Sequence, residues 1–150
     1  MNTLKKMAGF FIVEILVVLV IVGILVAALL PNLTIYTQRA QFVDNLTAAD
    51  GIKAAVEGCL LQNAATFSNC TPGTTGVSGI PANQTGNLGN FVSSITVTNG
   101  IITVTSTTKF GASGAAAYTY TLSPTLQSGS GAITWAVGSA AGSCVAAGLC

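Results

Sequence analysis

Between Phe10 and Leu30 the chain places 21 residues, 17 of them Leu, Ile, Val or Phe, and a single charge, Glu14. As a helix this stretch would be about 31 Å long, matching the hydrocarbon core of a bilayer. Its apolar side chains favour insertion by roughly 5 to 10 kcal/mol in sum, against about 3 kcal/mol for one ionised acid. Insertion wins, so the segment must end up covered by lipid or by protein. Lys5 and Lys6 precede it with no balancing acid, which predicts a cytoplasmic N-terminus and the remainder of the chain outside. A secretory signal has a shorter apolar core and a cut at an Ala-x-Ala-like site. Here the run is too long, and Leu29-Leu30-Pro31-Asn32 is a poor site of that kind. An uncleaved signal anchor fits the length but needs neither Gly9 nor Glu14, and an acid in such a segment is more often kept for a function than by accident.

Charged residues make up only 6% of the chain, and from residue 63 onward Lys109 is the sole charge. Arg39, Lys53 and Lys109 are too scattered for a nucleic-acid footprint. With no histidine and four acids, catalytic, metal and cofactor chemistry is not expected. Cys59, Cys70, Cys144 and Cys150 have spacings that match no zinc pattern; an export signal with an even cysteine count favours two disulfides. Three pairings are open. Cys59–Cys70 and Cys144–Cys150 are favoured because each closes a local loop.

After Pro31 the pattern turns amphipathic. Ile35, Phe42, Leu46, Ala49, Val56 and Leu60 recur at helical spacing, which predicts a helix continuing to about residue 61. Asp50–Lys53 and Lys53–Glu57 have the spacing of helical ion pairs. Gly23 and Pro31 are the candidate helix breakers within the apolar part. Residues 62–90 hold Pro72, Pro81, several glycines and many Ser, Thr and Asn, the marks of a long loop. Two runs, Phe91–Thr98 and Ile101–Thr108, flank Asn99-Gly100, a strong hairpin signal. Ala117–Leu122 and Ala132–Val137 read as two further strands. The expected fold is α+β: a long N-terminal helix, membrane anchor then amphipathic spine, packed on a four-stranded antiparallel sheet. Asn32, Asn45, Asn69 and Asn83 each begin an Asn-x-Thr match, a pattern common by chance in an Asn/Thr-rich chain.

Lys5-Lys6-Met7-Ala8-Gly9 followed by Phe10-Phe11-Ile12-Val13-Glu14 resembles the N-terminus of bacterial type IV pilins and their pseudopilin relatives. The family's motif has Gly, then Phe, then an acid at the fifth position after the cut; Phe11 departs from it, since Thr is more usual there. The resemblance is strong over residues 5–35 and extends as general architecture to the rest. It implies a leader over 1–9, a transmembrane and filament-core helix over 10–31, and a globular head over 32–150. Within that head fall a loop at 62–90, a sheet at 91–137 and a cysteine-closed loop at 138–150. It further implies cleavage between Gly9 and Phe10 by a prepilin peptidase and N-methylation of Phe10. Storage in the inner membrane would follow, then assembly with other copies into an extracellular filament by membrane machinery with motor ATPases. Loosening of the helix around Gly23–Pro31 in the filament is carried over in the same way. Glu14, one helical turn from the new Phe10 amine, would pair with it and set the register between neighbours. Two other readings fit the same residues: a minor pilin or a secretion or competence pseudopilin, and a monomeric membrane-anchored adhesin. Two expected disulfides, and no acidic cluster for the calcium site of some pseudopilins, argue against a pseudopilin.

Overall fold

The computed structural model describes residues 3–63, 66–73, 79–111, 114 and 116–150, and side chains among these except at 3–10, 31 and 32. The elements run α1 (Thr3–Gln62), a 3-10 turn (Phe67–Asn69), β1 (Gln84–Thr85), β2 (Val92–Thr98), β3 (Ile101–Ser106), β4 (Thr119–Leu126) and β5 (Ile133–Val137). Two compact units divide the chain, Met1–Thr37 and Gln38–Cys150.

From Thr3 onward the first unit is helix. Its backbone stays helical across Gly23 and Pro31, the two residues expected to break it. Pro31, like Gly9 and Phe10, lies outside the described side chains.

In the second unit the helix lies on an antiparallel meander of order β1-β2-β3-β4-β5. Phe42, Ala49, Val56 and Leu60 from the apolar stripe are buried, whereas Ile35, outside this unit, is 42% exposed. Ala49, Val56, Cys59 and Leu60 pack with Val92, Val97, Ile102, Val104 and Leu122 in the main core. Phe42, Phe110, Cys144 and Leu149 form a second cluster. On β3, Ile102, Val104 and Ser106 are buried in strict alternation, as a strand with one covered face requires. On β2, Val92 and Val97 are both buried although five residues apart. A register shift between Val92 and Ser94 explains this: one extra residue flips the alternation.

Two strand expectations need correction. The sheet has five strands, because Gln84–Thr85 pairs with Ile95 and Ser94 inside the segment read as loop. Only two residues long and exposed, β1 carries no alternation to read. The strand expected to end at Leu122 runs on to Leu126, through Pro124. Gly138 N–H donates to the Thr121 carbonyl and Gln127 N–H to the Ala132 carbonyl, each at 2.9 Å. That parity turns the Pro124 nitrogen away from β5, toward the end of β3 at Ile101, so no ladder bond is lost.

Candidate functional site

The first unit offers an apolar surface that is exposed among the described residues. The 20 residues Phe11–Leu30 have a mean hydropathy of 3.2, and none of that window is buried. Phe11, Leu19, Ile24 and Leu29 each keep more than 60% of their surface exposed. By length and composition this helix can cross a membrane. Monomeric soluble proteins rarely leave a contiguous apolar patch of more than a few hundred square ångströms, so the helix calls for lipid or for other protein. Glu14 is exposed within it, four residues after Phe10.

The second unit is fastened at several points. Cys59 and Cys70 are joined by a disulfide (S–S 2.03 Å), as are Cys144 and Cys150 (2.01 Å). The first ties the helix end to the following loop. That loop in turn receives the β2–β3 turn: Gly100 N–H donates to the Cys70 carbonyl at 2.9 Å and Asn99 N–H to Thr71 Oγ1 at 2.8 Å. Asn99 (φ 52°) and Gly100 (φ 74°) both adopt left-handed backbone, as a tight two-residue hairpin turn demands. Where the helix enters this unit, Arg39 Nε donates to the Gly148 carbonyl at 2.7 Å, holding the C-terminal loop. Gln38 Nε2 donates to the Gly111 carbonyl at 2.8 Å.

Sequence reasoning missed several of these contacts. Lys53 and Glu57, read as an ion pair along the helix, instead both address Trp135. Its indole Nε1–H donates to Glu57 Oε1 at 2.7 Å, and the Lys53 ammonium lies 5.6 Å from the ring centroid. No local signal connects positions 57 and 135. Asn45 was legible only as a chance glycosylation match, yet it is fully buried, and neither amide atom has a protein hydrogen-bond partner. Its spacing of three from Phe42 and four from Ala49 places it on the core stripe, and such burial rules it out as a sugar acceptor. Among the described residues no cluster of three or more His, Cys, Asp or Glu could hold a metal ion.

Comparison with known proteins bears on the same region of the chain. The pilin family of bacterial filaments matches over residues 38–147. A fimbrial protein of Neisseria meningitidis (serogroup A, serotype 4A) is 41% identical over 105 residues, 70% of this chain and 57% of the relative. The type IV major pilin protein PilE1 of Neisseria gonorrhoeae is 39% identical over 103 residues, 69% of this chain and 44% of the relative. The type IV pilus subunit protein TapA of Aeromonas hydrophila is 35% identical over 74 residues, 49% of this chain and 51% of the relative. The chain thus spans about half the length of these curated relatives. Since the family match takes in most of the residues, the chain belongs to the pilin family of bacterial filament proteins.

Proposed function

We propose that this chain is the structural subunit of a type IV pilus. The observation that carries the reading is the helix Phe11–Leu30, an apolar surface exposed among the described residues with one acid at position 14. Lipid covers it first, with the N-terminus cytoplasmic and the head outside the inner membrane. Other copies of the same helix cover it later, in the core of an extracellular filament. A prepilin peptidase cuts between Gly9 and Phe10, and the new amine is methylated. That amine and Glu14 would each be costly to bury alone among packed helices, and pairing offsets much of the cost. The pair therefore favours one axial register, much as a buried polar side chain does in a coiled coil. Gly23 and Pro31 let the helix loosen as neighbours pack around it. The inner-membrane assembly machinery and its motor ATPases supply the work; the subunit itself is structural and takes no cofactor.

The test is electron microscopy with intact-mass measurement of filaments sheared from cells making this chain. Filaments built of a subunit that begins at a methylated Phe10, with all four cysteines oxidised, are expected. Release of nothing by shear, with residues 1–9 retained, would instead indicate a membrane-anchored monomer.

A further inference from the structure

The head unit, Gln38–Cys150, carries its charges at two ends. The first turns of its helix and the loop at 107–111 form one end, where Gln38 bonds Gly111 and Phe42 packs edge-on against Phe110 (centroids 5.4 Å apart). Arg39 and the exposed Lys109 outweigh Asp44 there, leaving one net positive charge. Toward the other end, Asp50 and Glu57 outweigh Lys53, leaving one net negative charge. The helix C-terminus adds to it, since its last turn holds no basic residue and its free carbonyls amount to about half a negative charge. A groove of about 260 Å³ opens at this negative end, lined by Glu57, Leu61, Gly131, Ala132 and Ile133. Leu61 is 63% exposed on its wall. Trp135 engages Oε1 of Glu57, and among the described residues no hydrogen bond engages the other carboxylate oxygen.

We propose that this groove receives Lys109 of a second copy, so that heads stack tail to head along the filament. The inference rests on the filament reading above and names one contact within it. Lys109 is the only cation beyond residue 63, and its ammonium lies 5.6 Å from the centroid of the Phe91 ring. An apolar stem with a charged tip fits an apolar wall beside a carboxylate. Within one molecule the two cannot meet, because about 22 Å of helix rise separates Phe42 from Glu57. A contact between unlike ends is heterologous and, where its rotation does not close a ring, propagates as a filament requires.

Zero-length carbodiimide cross-linking of intact filaments, assembled from subunits mixed in light and heavy isotopic forms, tests this. The expected product is a Glu57–Lys109 amide whose two arms come from different copies. Lys109→Arg should leave filaments in place and abolish the product. Glu57→Gln keeps an acceptor for Trp135 but removes the charge. It should speed subunit loss from sheared filaments by about twofold to fivefold at low salt, a difference that shrinks in high salt. Intact filaments without a mixed-isotope Glu57–Lys109 product would overturn this contact and leave the filament reading standing. Absence of any filament would overturn both.

Discussion

Trp135 on β5 donates its indole N–H to Glu57 on α1 at 2.7 Å, and Lys53, one turn earlier on that helix, sets its ammonium against the same ring. An edge strand is thereby held to the helix by one side chain that uses both its polar edge and its aromatic face. Trp135→Phe keeps a ring for Lys53 but removes the donor. The expected cost is about 1 kcal/mol, or a Tm lower by about 3 °C, in thermal unfolding of the detergent-solubilised chain. Glu57→Gln should cost less, since its amide oxygen still accepts.

Gly100 should accept a side chain only at a cost in stability. Its φ of 74° is left-handed, and a Cβ there would meet Leu60, Phe67 and Pro124 at 3.4 to 3.5 Å. The contacts are ordinary in distance, so the backbone carries the penalty. Gly100→Ala is expected to destabilise by about 1 to 2 kcal/mol, read as a shifted urea midpoint with an unchanged slope.

The two disulfides should differ in reactivity. Cys59 and Cys70 are both buried, while Cys150 is exposed and its partner Cys144 is buried. Thiol–disulfide exchange needs access to a sulfur. Stepwise reduction of the native protein followed by alkylation and peptide mass mapping should label Cys144 and Cys150 first. Equal labelling of all four at low reductant would contradict the burial difference.

Alkaline pH should weaken the head through Tyr120. Burial raises its phenol above the ordinary 10.0, and the negative charge of Asp50 pushes the same way. In the unfolded chain Tyr120 ionises near the ordinary value, while in the folded chain it still holds its proton. The stabilising contribution is therefore complete below about pH 10 and is lost as pH rises through the folded value. Tyr120→Phe should flatten that part of the stability–pH curve. An unchanged slope between roughly pH 9 and 11 would show that another group sets it.

Much of this architecture could be read from local pattern. The helix followed from apolar spacing, and the β2–β3 hairpin from Asn99-Gly100, because both signals depend on neighbours in sequence. Other features depend on what lies across the fold. Whether Pro124 ends a strand depends on where β3 stops, and β1 exists only because β2 offers an edge to Gln84 and Thr85. Lys53 and Glu57 looked like partners of one another until Trp135 arrived from 78 residues away. Asn45 kept a core position that its chemistry argued against. The candidate assembly helix was the most legible part, since its apolar run is a local signal and the window within Phe11–Leu30 is exposed among the described residues.

The decisive variant for that helix is Glu14→Ala. Glu14 is exposed on an otherwise apolar segment, and removing it makes membrane insertion easier by about 3 kcal/mol. A role in anchoring alone therefore predicts equal or better accumulation in the membrane and no loss elsewhere. A role in register predicts something different: the Phe10 amine keeps its charge after the cut and loses its partner when helices pack, at about 3 to 5 kcal/mol. On the proposed order of events cleavage at Gly9 comes before assembly and should proceed. The expected result is a membrane pool of correctly cut subunits, identified by mass, with sheared filaments reduced by at least about tenfold. Normal filament yield from Glu14→Ala would end the register reading, whereas retention of residues 1–9 would assign Glu14 to peptidase recognition instead.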